Sequence, residues 1–252
     1  MKVIVIIPAA GLGTRMAAGK VPVPKAPVHQ SDDLQPQALP SKQFANLAGT
    51  PILIHTLRRF AEVKQVDKLY IALRKQDLKA FQSTVNQESF ASRVDLVEGG
   101  ENRQQSVANA LAAIHADPED VILVHDAVRP FITTDLINRV IAAATKHGAA
   151  IAGLPAVDTV KQVERTSDGA IITSTIPRER VVMAQTPQGF RYEVLKKAFD
   201  EARADAFTGT DEASLVERSG HEVAVVMGSP RNIKITTSGD MELAEFYMKS
   251  KA

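Results

Sequence analysis

The fold is decided at the start of the chain, in the stretch KVIVIIPAAGLGTRM, residues 2–16. Its five consecutive β-branched apolar residues, 3–7, predict a strand that is buried on both faces, as strands of parallel sheets are. The proline and small residues that follow predict a turn in which backbone N–H groups can closely approach phosphate oxygens. Arg15 in this loop and Lys42 beyond it supply positive charge for such an anion. The stretch therefore predicts an α/β protein whose first strand ends at a nucleotide triphosphate site.

The rest of the chain continues the alternation of apolar runs with helical patterns. Buried strands are predicted for residues 3–7, 69–73, 94–97, 121–124, 149–154, 181–184 and 223–227, and a short strand for residues 232–236. Helices are predicted for residues 51–63, 76–86, 103–116 and 135–147, with a capped helix start at residues 210–214. This alternation is typical of a mostly parallel, twisted sheet with helices on both faces. Ligands of such sheets bind at the carboxyl ends of the strands.

The composition favours a soluble protein with one main domain. A chain of 252 residues with 44% hydrophobic content can form one α/β core. The net charge of +1 gives no electrostatic field for binding nucleic acid or a membrane. The absence of cysteine excludes disulfides, thiolate nucleophiles and cysteine-ligated metals. Because no apolar run is long enough for a signal peptide or a membrane span, we expect a cytoplasmic protein.

Two segments interrupt the alternation of strands and helices. Residues 17–41 contain five of the thirteen prolines and show no apolar periodicity, which predicts a mobile insertion. Residues 159–175 contain two alternating runs around a turn at residues 165–169, which predicts a β-hairpin. A hairpin that projects from a finished sheet leaves strand edges uncovered, and a second subunit is the expected cover. The sequence therefore predicts that a second subunit packs on the hairpin.

The first loop has three interpretations. The simplest is an ordinary turn between a strand and a helix. A dinucleotide site of the Rossmann type would need a third glycine and an acidic residue after the second strand, and this chain has neither. A Walker A loop would need a Gly-Lys-Ser/Thr sequence at the required distance, which is also absent. A nucleotide triphosphate loop with Arg15 at the phosphates accounts for more of the sequence.

Two further loops carry candidate site residues. Asp126 directly follows the strand 121–124, where a carboxylate can hold the divalent cation of a triphosphate, and Arg129 can bind a second anion. The alternative is a structural pair in which Asp126 caps the next turn and binds Arg129, with His125 in a structural role. Gly99 and Gly100 precede a helix with Ser106, which is compatible with binding of a base edge or with a plain turn.

The catalytic groups that are missing also limit the chemistry. The sequence contains no nucleophile elbow and no pair of histidines with metal-binding spacing. The candidate site offers cations, one acid and backbone donors, which suits transfer of a phosphoryl-type group to an anionic acceptor. A phosphate monoester has a second pKa near ~6, so it can attack at neutral pH without a general base.

Eight motifs, taken in order, resemble those of the 2-C-methyl-D-erythritol 4-phosphate cytidylyltransferase family. They are PAAGLGTRM (8–16), KQF (42–44), GGENR with SV (99–103 and 106–107), HDAVRP (125–130), DTVK (158–161), QTPQ (185–188), TDEA (210–213) and NIKIT (232–236). The resemblance implies a Rossmann-like nucleotidyltransferase fold in a single domain of residues 1–252. It also implies a protruding β-hairpin arm, at about residues 156–178, that is exchanged between the subunits of a homodimer.

The resemblance implies a reaction without a covalent enzyme intermediate. The acceptor phosphate attacks the α-phosphorus of CTP and yields pyrophosphate and 4-diphosphocytidyl-2-C-methyl-D-erythritol, in the non-mevalonate pathway of isoprenoid precursors. By this likeness Arg15 and Lys42 stabilise the transition state, and Arg178 of the neighbouring subunit and Lys234 position the acceptor phosphate. Cytidine is assigned to Ala9, Ala10, Gly11, Gly100, Glu101 and Ser106, magnesium to Asp126, the acceptor to Arg129 and Thr159, and further substrate contacts to Ala127 and Thr186.

The chain departs from the family in two places. Between Arg15 and Lys42 lie 26 residues, where relatives have only a handful, so Lys20 or Lys25 is an alternative to Lys42. Arg231 stands where an acidic residue is common, which leaves a second carboxylate ligand for the metal open. Two other functions also stay open: a cytidylyltransferase for ribitol 5-phosphate or another polyol phosphate, and a non-catalytic nucleotide-binding module. The set of retained cations favours an enzyme.

Overall fold

A computed structural model describes residues 1–11, 41–167 and 169–250 of the chain. In chain order the described strands are β1 (Val3–Pro8), β2 (Asn46–Leu47), β3 (Thr50–Pro51), β4 (Val66–Leu73), β5 (Val94–Glu98), β6 (Val121–Val124), β7 (Ala149–Pro155), β8 (Val160–Thr166), β9 (Gly169–Ile176), β10 (Val182–Arg191) and β11 (Ala224–Met227). Seven of them form one sheet in the order β11-β7-β10-β6-β1-β4-β5. Only β10 runs antiparallel to its neighbours. The predicted α/β fold with a mostly parallel sheet is confirmed.

Helices cover both faces of this sheet, as predicted. They are α1 (Ile52–Ala61), α2 (Lys75–Val85), α3 (Arg103–Ala113), α4 (Thr134–His147), α5 (Tyr192–Ala204), α6 (Glu212–Arg218) and α7 (Ser238–Lys249). The alternation of β1 shows how the two layers arise. Its residues Val3, Val5 and Ile7 pack with α1, α2 and α4, whereas Ile4 and Ile6 pack with α3, α5 and α6. Both sets are buried, which is why this strand is apolar at every position.

The helix-ending signals of the sequence are also found in the structure. Helix α4 ends at Gly148, whose φ of 82° lies in the left-handed region that glycine adopts without a steric penalty. The predicted capped helix start is confirmed at α6, where the Asp211 side chain accepts a hydrogen bond from the backbone of Ser214. No helix in the described part of the chain is long and apolar enough to cross a membrane.

The predicted hairpin is formed by β8 and β9. These two strands pair with each other in a separate antiparallel sheet and have no pairing with the seven-stranded sheet. Apolar side chains of the hairpin face solvent in the single chain, and Ile171 and Ile172 are 62% and 60% exposed. Apolar residues at this exposure are costly to leave in water, so the hairpin has an uncovered surface.

Three parts of the secondary-structure prediction are wrong. Residues 232–236 form no strand; Ile235 instead hydrogen-bonds through its N–H to Val128 O (2.9 Å) and is buried. The strands predicted at residues 181–184 and 223–227 are present within β10 and β11, but their predicted burial is wrong. Residues 182–184 are exposed because β10 begins beside the hairpin, and β11 is half-buried or exposed because it is the edge strand of the sheet. Helices α5 and α7 are absent from the prediction, although Leu195, Ala198, Phe199 and Ala202 show the helical period in α5.

Candidate active site

A cleft opens at the carboxyl ends of β1, β5 and β6. Its walls come from stretches that are far apart in the sequence: Pro8, Ala9, Ala10, Gly11, Lys42, Gln43, Gly100, Glu101, Asn102, Arg103, Ser106, Asp126, Ala127, Val128 and Lys234. The parallel strands place these loops at one edge of the sheet, where α/β proteins bind their ligands. The structure thus brings together most of the residues that the sequence assigns to nucleotide binding.

Small residues allow the first loop and the glycine loop to approach each other. The N–H of Ala9 donates to Ala72 O (2.8 Å) and the N–H of Gly99 donates to Leu73 O (2.7 Å), so both loops are tied to the end of β4. A Cβ atom at position 99 would lie only 2.4 Å from the Cβ of Ala10. A side chain at this position would therefore push the two walls of the cleft apart.

The glycine loop continues into α3 through a set of local hydrogen bonds. The side chain of Asn102 accepts from the N–H of Gln105 (2.8 Å) and caps the helix. The hydroxyl of Ser106 donates to Asn102 O (2.8 Å) and accepts from the N–H of Gly100 (3.1 Å). The N–H of Glu101 donates to the side-chain oxygen of Gln105 (3.0 Å). Because these N–H groups are used within the loop, the backbone at Gly100 is held in one conformation.

Lys42 reaches the cleft from a short 3-10 helix, Lys42–Phe44. Its neighbour Gln43 is buried and donates from Nε2 to Ala9 O (2.5 Å), which fastens this helix to the first loop. Lys42 consequently lines the same cleft as Ala10 and Gly11. This position agrees with the role predicted for Lys42. The alternatives Lys20 and Lys25 lie outside the described residues.

Asp126 is the electrostatic centre of the cleft. Its Oδ2 lies 2.9 Å from Nζ of Lys234 and 3.1 Å from Nε of Arg129, and its Oδ1 lies 3.4 Å from Nε of Arg103. Burial raises the pKa of this carboxyl, but the positive charges of Arg103, Lys234 and Arg129 outweigh burial and lower its pKa below the usual range. Asp126 is therefore ionised at neutral pH. The structural pair with Arg129 is present, together with two further cations.

Arg103 and Glu212 form a second ion pair beside Asp126, and neither residue had a predicted role. Nη1 of Arg103 donates to both carboxylate oxygens of Glu212, at 2.7 and 2.9 Å. Burial raises the pKa of Glu212 more than the charge of Arg103 lowers it. Arg103 lies in the motif at residues 99–103 and Glu212 in the motif at residues 210–213. Because the two motifs are far apart along the chain, no local sequence pattern predicts this contact.

His125 and Thr186 support Asp126 from the protein interior. The Nε2 of His125 lies 3.1 Å from Arg129 O, and since a carbonyl only accepts, this nitrogen carries the hydrogen. The hydroxyl of Thr186 then donates to Nδ1 of His125 (3.1 Å) and accepts from the N–H of Asp126 (3.0 Å). Burial lowers the pKa of His125 to about 4, so the ring is neutral. These contacts agree with the structural role expected for His125.

Several predicted site residues lie elsewhere. Arg178 is exposed beside the hairpin, where its Nη1 donates to Val157 O (2.9 Å), and Thr159 is exposed just before β8. Arg129 does not line the cleft but binds Asp126 and, through Nη1, Asn232 O (2.7 Å). Arg15 and most of the insertion at residues 17–41 lie outside the described residues, so the meeting of Arg15 with Lys42 stays a prediction.

Metal ligands are sparse in the described part of the site. In residues 1–11, 41–167 and 169–250 no three His, Asp or Glu side chains are grouped to hold a metal ion. Two carboxylates of the described residues line the cleft, those of Asp126 and Glu101. Arg231, at the position where an acidic residue is common, is exposed, and its guanidinium stacks on the ring of Tyr247 at 4.7 Å from the centroid.

Comparison with known proteins identifies the family of this chain. The family model for 2-C-methyl-D-erythritol 4-phosphate cytidylyltransferase matches residues 35–250. The chain belongs to this cytidylyltransferase family. It is 56% identical over 252 residues to the enzyme of that name from Acidobacterium capsulatum, covering 100% of this chain and 99% of the relative. The corresponding protein of Solibacter usitatus is 50% identical over 252 residues, covering 100% of this chain and 98% of the relative.

A solved structure agrees with the family assignment. The 2-C-methyl-D-erythritol 4-phosphate cytidylyltransferase of Francisella tularensis superposes with a TM-score of 0.77 at 32% identity, covering 98% of this chain and 99% of the other. The family and the nucleotidyltransferase fold predicted from the eight motifs are therefore confirmed. The chain is a nucleotidyltransferase of the cytidylyltransferase family, which favours the main prediction over a polyol phosphate enzyme.

Proposed function

We propose that this protein transfers CMP from CTP to 2-C-methyl-D-erythritol 4-phosphate, giving 4-diphosphocytidyl-2-C-methyl-D-erythritol and pyrophosphate. One observation carries the proposal: Lys42, Lys234 and Asp126 line the same cleft as the small-residue loops at the ends of β1 and β5. A triphosphate requires cations on one side and close backbone approach on the other, and this cleft provides both.

The proposed chemistry depends on alignment of two anions. The acceptor phosphate is its own nucleophile near neutral pH, so the protein must hold it in line with the α-phosphorus and neutralise the charge that develops there. Lys42 and Arg15 serve the transition state, and Lys234 orients the acceptor phosphate. The ion pair between Lys234 and Asp126, at 2.9 Å, sets the ammonium group at the cleft before the acceptor arrives.

The nucleoside end of CTP belongs between the first loop and the glycine loop. Ala9, Ala10 and Gly11 form one wall, and Gly100, Glu101 and Ser106 form the other. Because Ser106 and Gln105 fix the backbone of the glycine loop, its polar groups face a base in a single arrangement. A fixed loop of this kind favours one base, since it cannot shift to match a different set of donors and acceptors.

A divalent cation fits Asp126 by the chemistry of its donors. Magnesium commonly binds to one or two carboxylates together with the phosphate oxygens of its nucleotide, so a single ionised carboxylate is sufficient. Oδ1 is more accessible to a metal ion than Oδ2, since its cationic neighbour Arg103 is 3.4 Å away, whereas Lys234 and Arg129 lie closer to Oδ2. When bound, the cation neutralises charge on the triphosphate. We therefore assign Mg²⁺ to Asp126 as the cofactor.

A homodimer completes the proposed site. The exposed apolar residues of the hairpin, among them Ile171 and Ile172, support its use as an arm that packs on a second subunit. In this arrangement Arg178, which is exposed in the single chain, acts on the acceptor in the neighbouring site. Thr159 and Arg129 also bind the acceptor. We further propose that the protein is cytoplasmic. We also propose that residues 1–252 form one domain, with the arm at about residues 156–178 and the mobile insertion at residues 17–41.

Pyrophosphate release tests the function. The purified protein is assayed with four nucleoside triphosphates against 2-C-methyl-D-erythritol 4-phosphate, ribitol 5-phosphate and a blank. We expect release only with CTP and the methylerythritol acceptor. Release with ribitol 5-phosphate at a higher kcat/KM would reassign the acceptor, and binding of CTP without release under any condition would leave a nucleotide-binding module.

A further inference from the structure

One buried charge beside the cleft has no direct use in the proposed chemistry. Glu212 is 1% exposed and does not line the cleft, yet both of its carboxylate oxygens bind Nη1 of Arg103. A buried carboxylate loses its hydration, and that loss is offset only when its partner is held in good geometry. Its effect on the substrates must therefore pass through Arg103, which does line the cleft.

The position of Glu212 is fixed from both sides. The residues that flank it, Asp211 and Ala213, both bind Gln188 of β10: its Nε2 donates to Asp211 (2.7 Å) and its Oε1 accepts from the N–H of Ala213 (3.0 Å). Gln104, next to Arg103 in α3, makes two more hydrogen bonds to the loop before α6. The starts of α3 and α6 therefore form one unit that holds the two charges together.

This unit determines how Arg103 meets Asp126. Nη1 is engaged by Glu212, and Nε lies 3.4 Å from Asp126 Oδ1, whereas Lys234 and Arg129 lie at 2.9 and 3.1 Å from Oδ2. Three cations surround two carboxylates in this cluster. Without the restraint of Glu212 on Nη1, the guanidinium of Arg103 could move toward Asp126 and pair with it through two hydrogen bonds from its Nε and Nη2 edge.

We propose that Glu212 is a positioning residue that restrains Arg103 and thereby keeps Oδ1 of Asp126 open to the divalent cation of the nucleotide. The inference rests on the proposed function, since it takes Asp126 as the carboxylate for that cation. Groups that orient a metal ligand typically change metal affinity by about 10- to 100-fold when they are removed.

The test measures how much Mg²⁺ strengthens CTP binding, by isothermal titration calorimetry without acceptor, so that no turnover occurs. The ratio of the Kd for CTP in EDTA to the Kd at saturating Mg²⁺ gives the coupling between metal and nucleotide. Glu212→Gln, which keeps the size and removes the charge, should lower this ratio about tenfold or more, with metal-free CTP binding within about twofold of the parent. Glu217→Gln, at an exposed position of the same helix, should keep the parent ratio.

A double variant distinguishes restraint of Arg103 from a general effect on folding. Arg103→Gln combined with Glu212→Gln removes the group that would close on Asp126, so the ratio should return to within about threefold of the parent. The proposal is overturned if Glu212→Gln keeps the parent ratio, if it weakens both Kd values equally, or if the double variant has a low ratio. Should Glu212→Gln not fold, Glu212→Asp takes its place: its shorter side chain cannot hold Nη1 of Arg103 in the same geometry, so the ratio should again fall, and a parent ratio overturns the proposal. Failure of the proposed function is a separate result, because it appears as absence of product from the parent protein.

Discussion

Replacing Gly99 by alanine tests whether the two small-residue loops are the walls of the CTP site. The new Cβ would lie 2.4 Å from Cβ of Ala10 and 3.1 Å from Oγ of Ser106. Carbon atoms in contact lie about 3.5–4.0 Å apart, so the loops would have to separate by about 1–1.5 Å. The glycine backbone has little freedom to yield, because its N–H is held by Leu73 O. The change therefore acts on the width of the cleft.

A displacement of about 1 Å at a reacting site costs about 10²-fold in rate, so Gly99→Ala should lower kcat/KM for CTP by about that factor. Overpacking should also lower the free energy of unfolding by about 1–3 kcal/mol. Pyrophosphate release at low CTP and saturating acceptor measures the first quantity, and urea unfolding measures the second. Gly239→Ala is the control, since its Cβ meets only Oγ1 of Thr237, at 3.9 Å.

The outcome is decided by the activity of the folded fraction. If Gly99→Ala retains kcat/KM for CTP within about threefold of the parent, while urea unfolding shows a folded protein, a 1 Å change in the cleft does not reach the nucleotide. The assignment of CTP to these loops would then be wrong. Gly239→Ala should keep the parent activity and a free energy of unfolding at least as high, because alanine reduces the freedom of the unfolded chain.

Three further predictions concern other parts of the site. Arg15→Met should lower kcat by about 10²–10³-fold with a smaller change in CTP affinity, and a single-turnover rate within about threefold of the parent would refute its role. Mixing Arg178→Ala chains with Lys42→Ala chains should restore activity through one intact hybrid site, and inactive mixed dimers would refute exchange of the arm. Burial lowers the pKa of His125 from 6.5 to about 4, so its neutral ring stabilises the fold above pH 6.5. The free energy of unfolding should therefore fall as the pH is lowered from 6.5 to about 4, and urea unfolding should show a smaller fall in His125→Gln.

The parts of the fold that could be predicted are those in which a short sequence pattern follows directly from burial or from the end of a strand. The run 3–7 is apolar throughout because β1 lies between two helix layers, and Asp126 is polar because β6 ends there at the cleft. Both signals lie within a few neighbouring residues. The motif order then identified the family, which a comparison of whole chains confirmed.

Features that depend on distant partners escaped prediction. The strand β10 extends to Arg191, although a strand was predicted only to residue 184. Its polar residues Gln185, Thr186 and Gln188 interrupt the apolar pattern, and their hydrogen-bond partners lie far along the chain. Residues 232–236 alternate like a strand, yet no strand of the central sheet pairs with them. The ion pair of Arg103 and Glu212 joins positions 109 residues apart, so no local sequence pattern predicts it.

The place of β10 in the sheet has a consequence for how the chain acquires its shape during synthesis. This strand, at residues 182–191, lies between β6 and β7, which are both made earlier. Until it leaves the ribosome, β6 has an open edge and β7 has no neighbour in the sheet, because β11 is made later still. A chain that stops before residue 182 should therefore aggregate instead of forming a smaller stable domain.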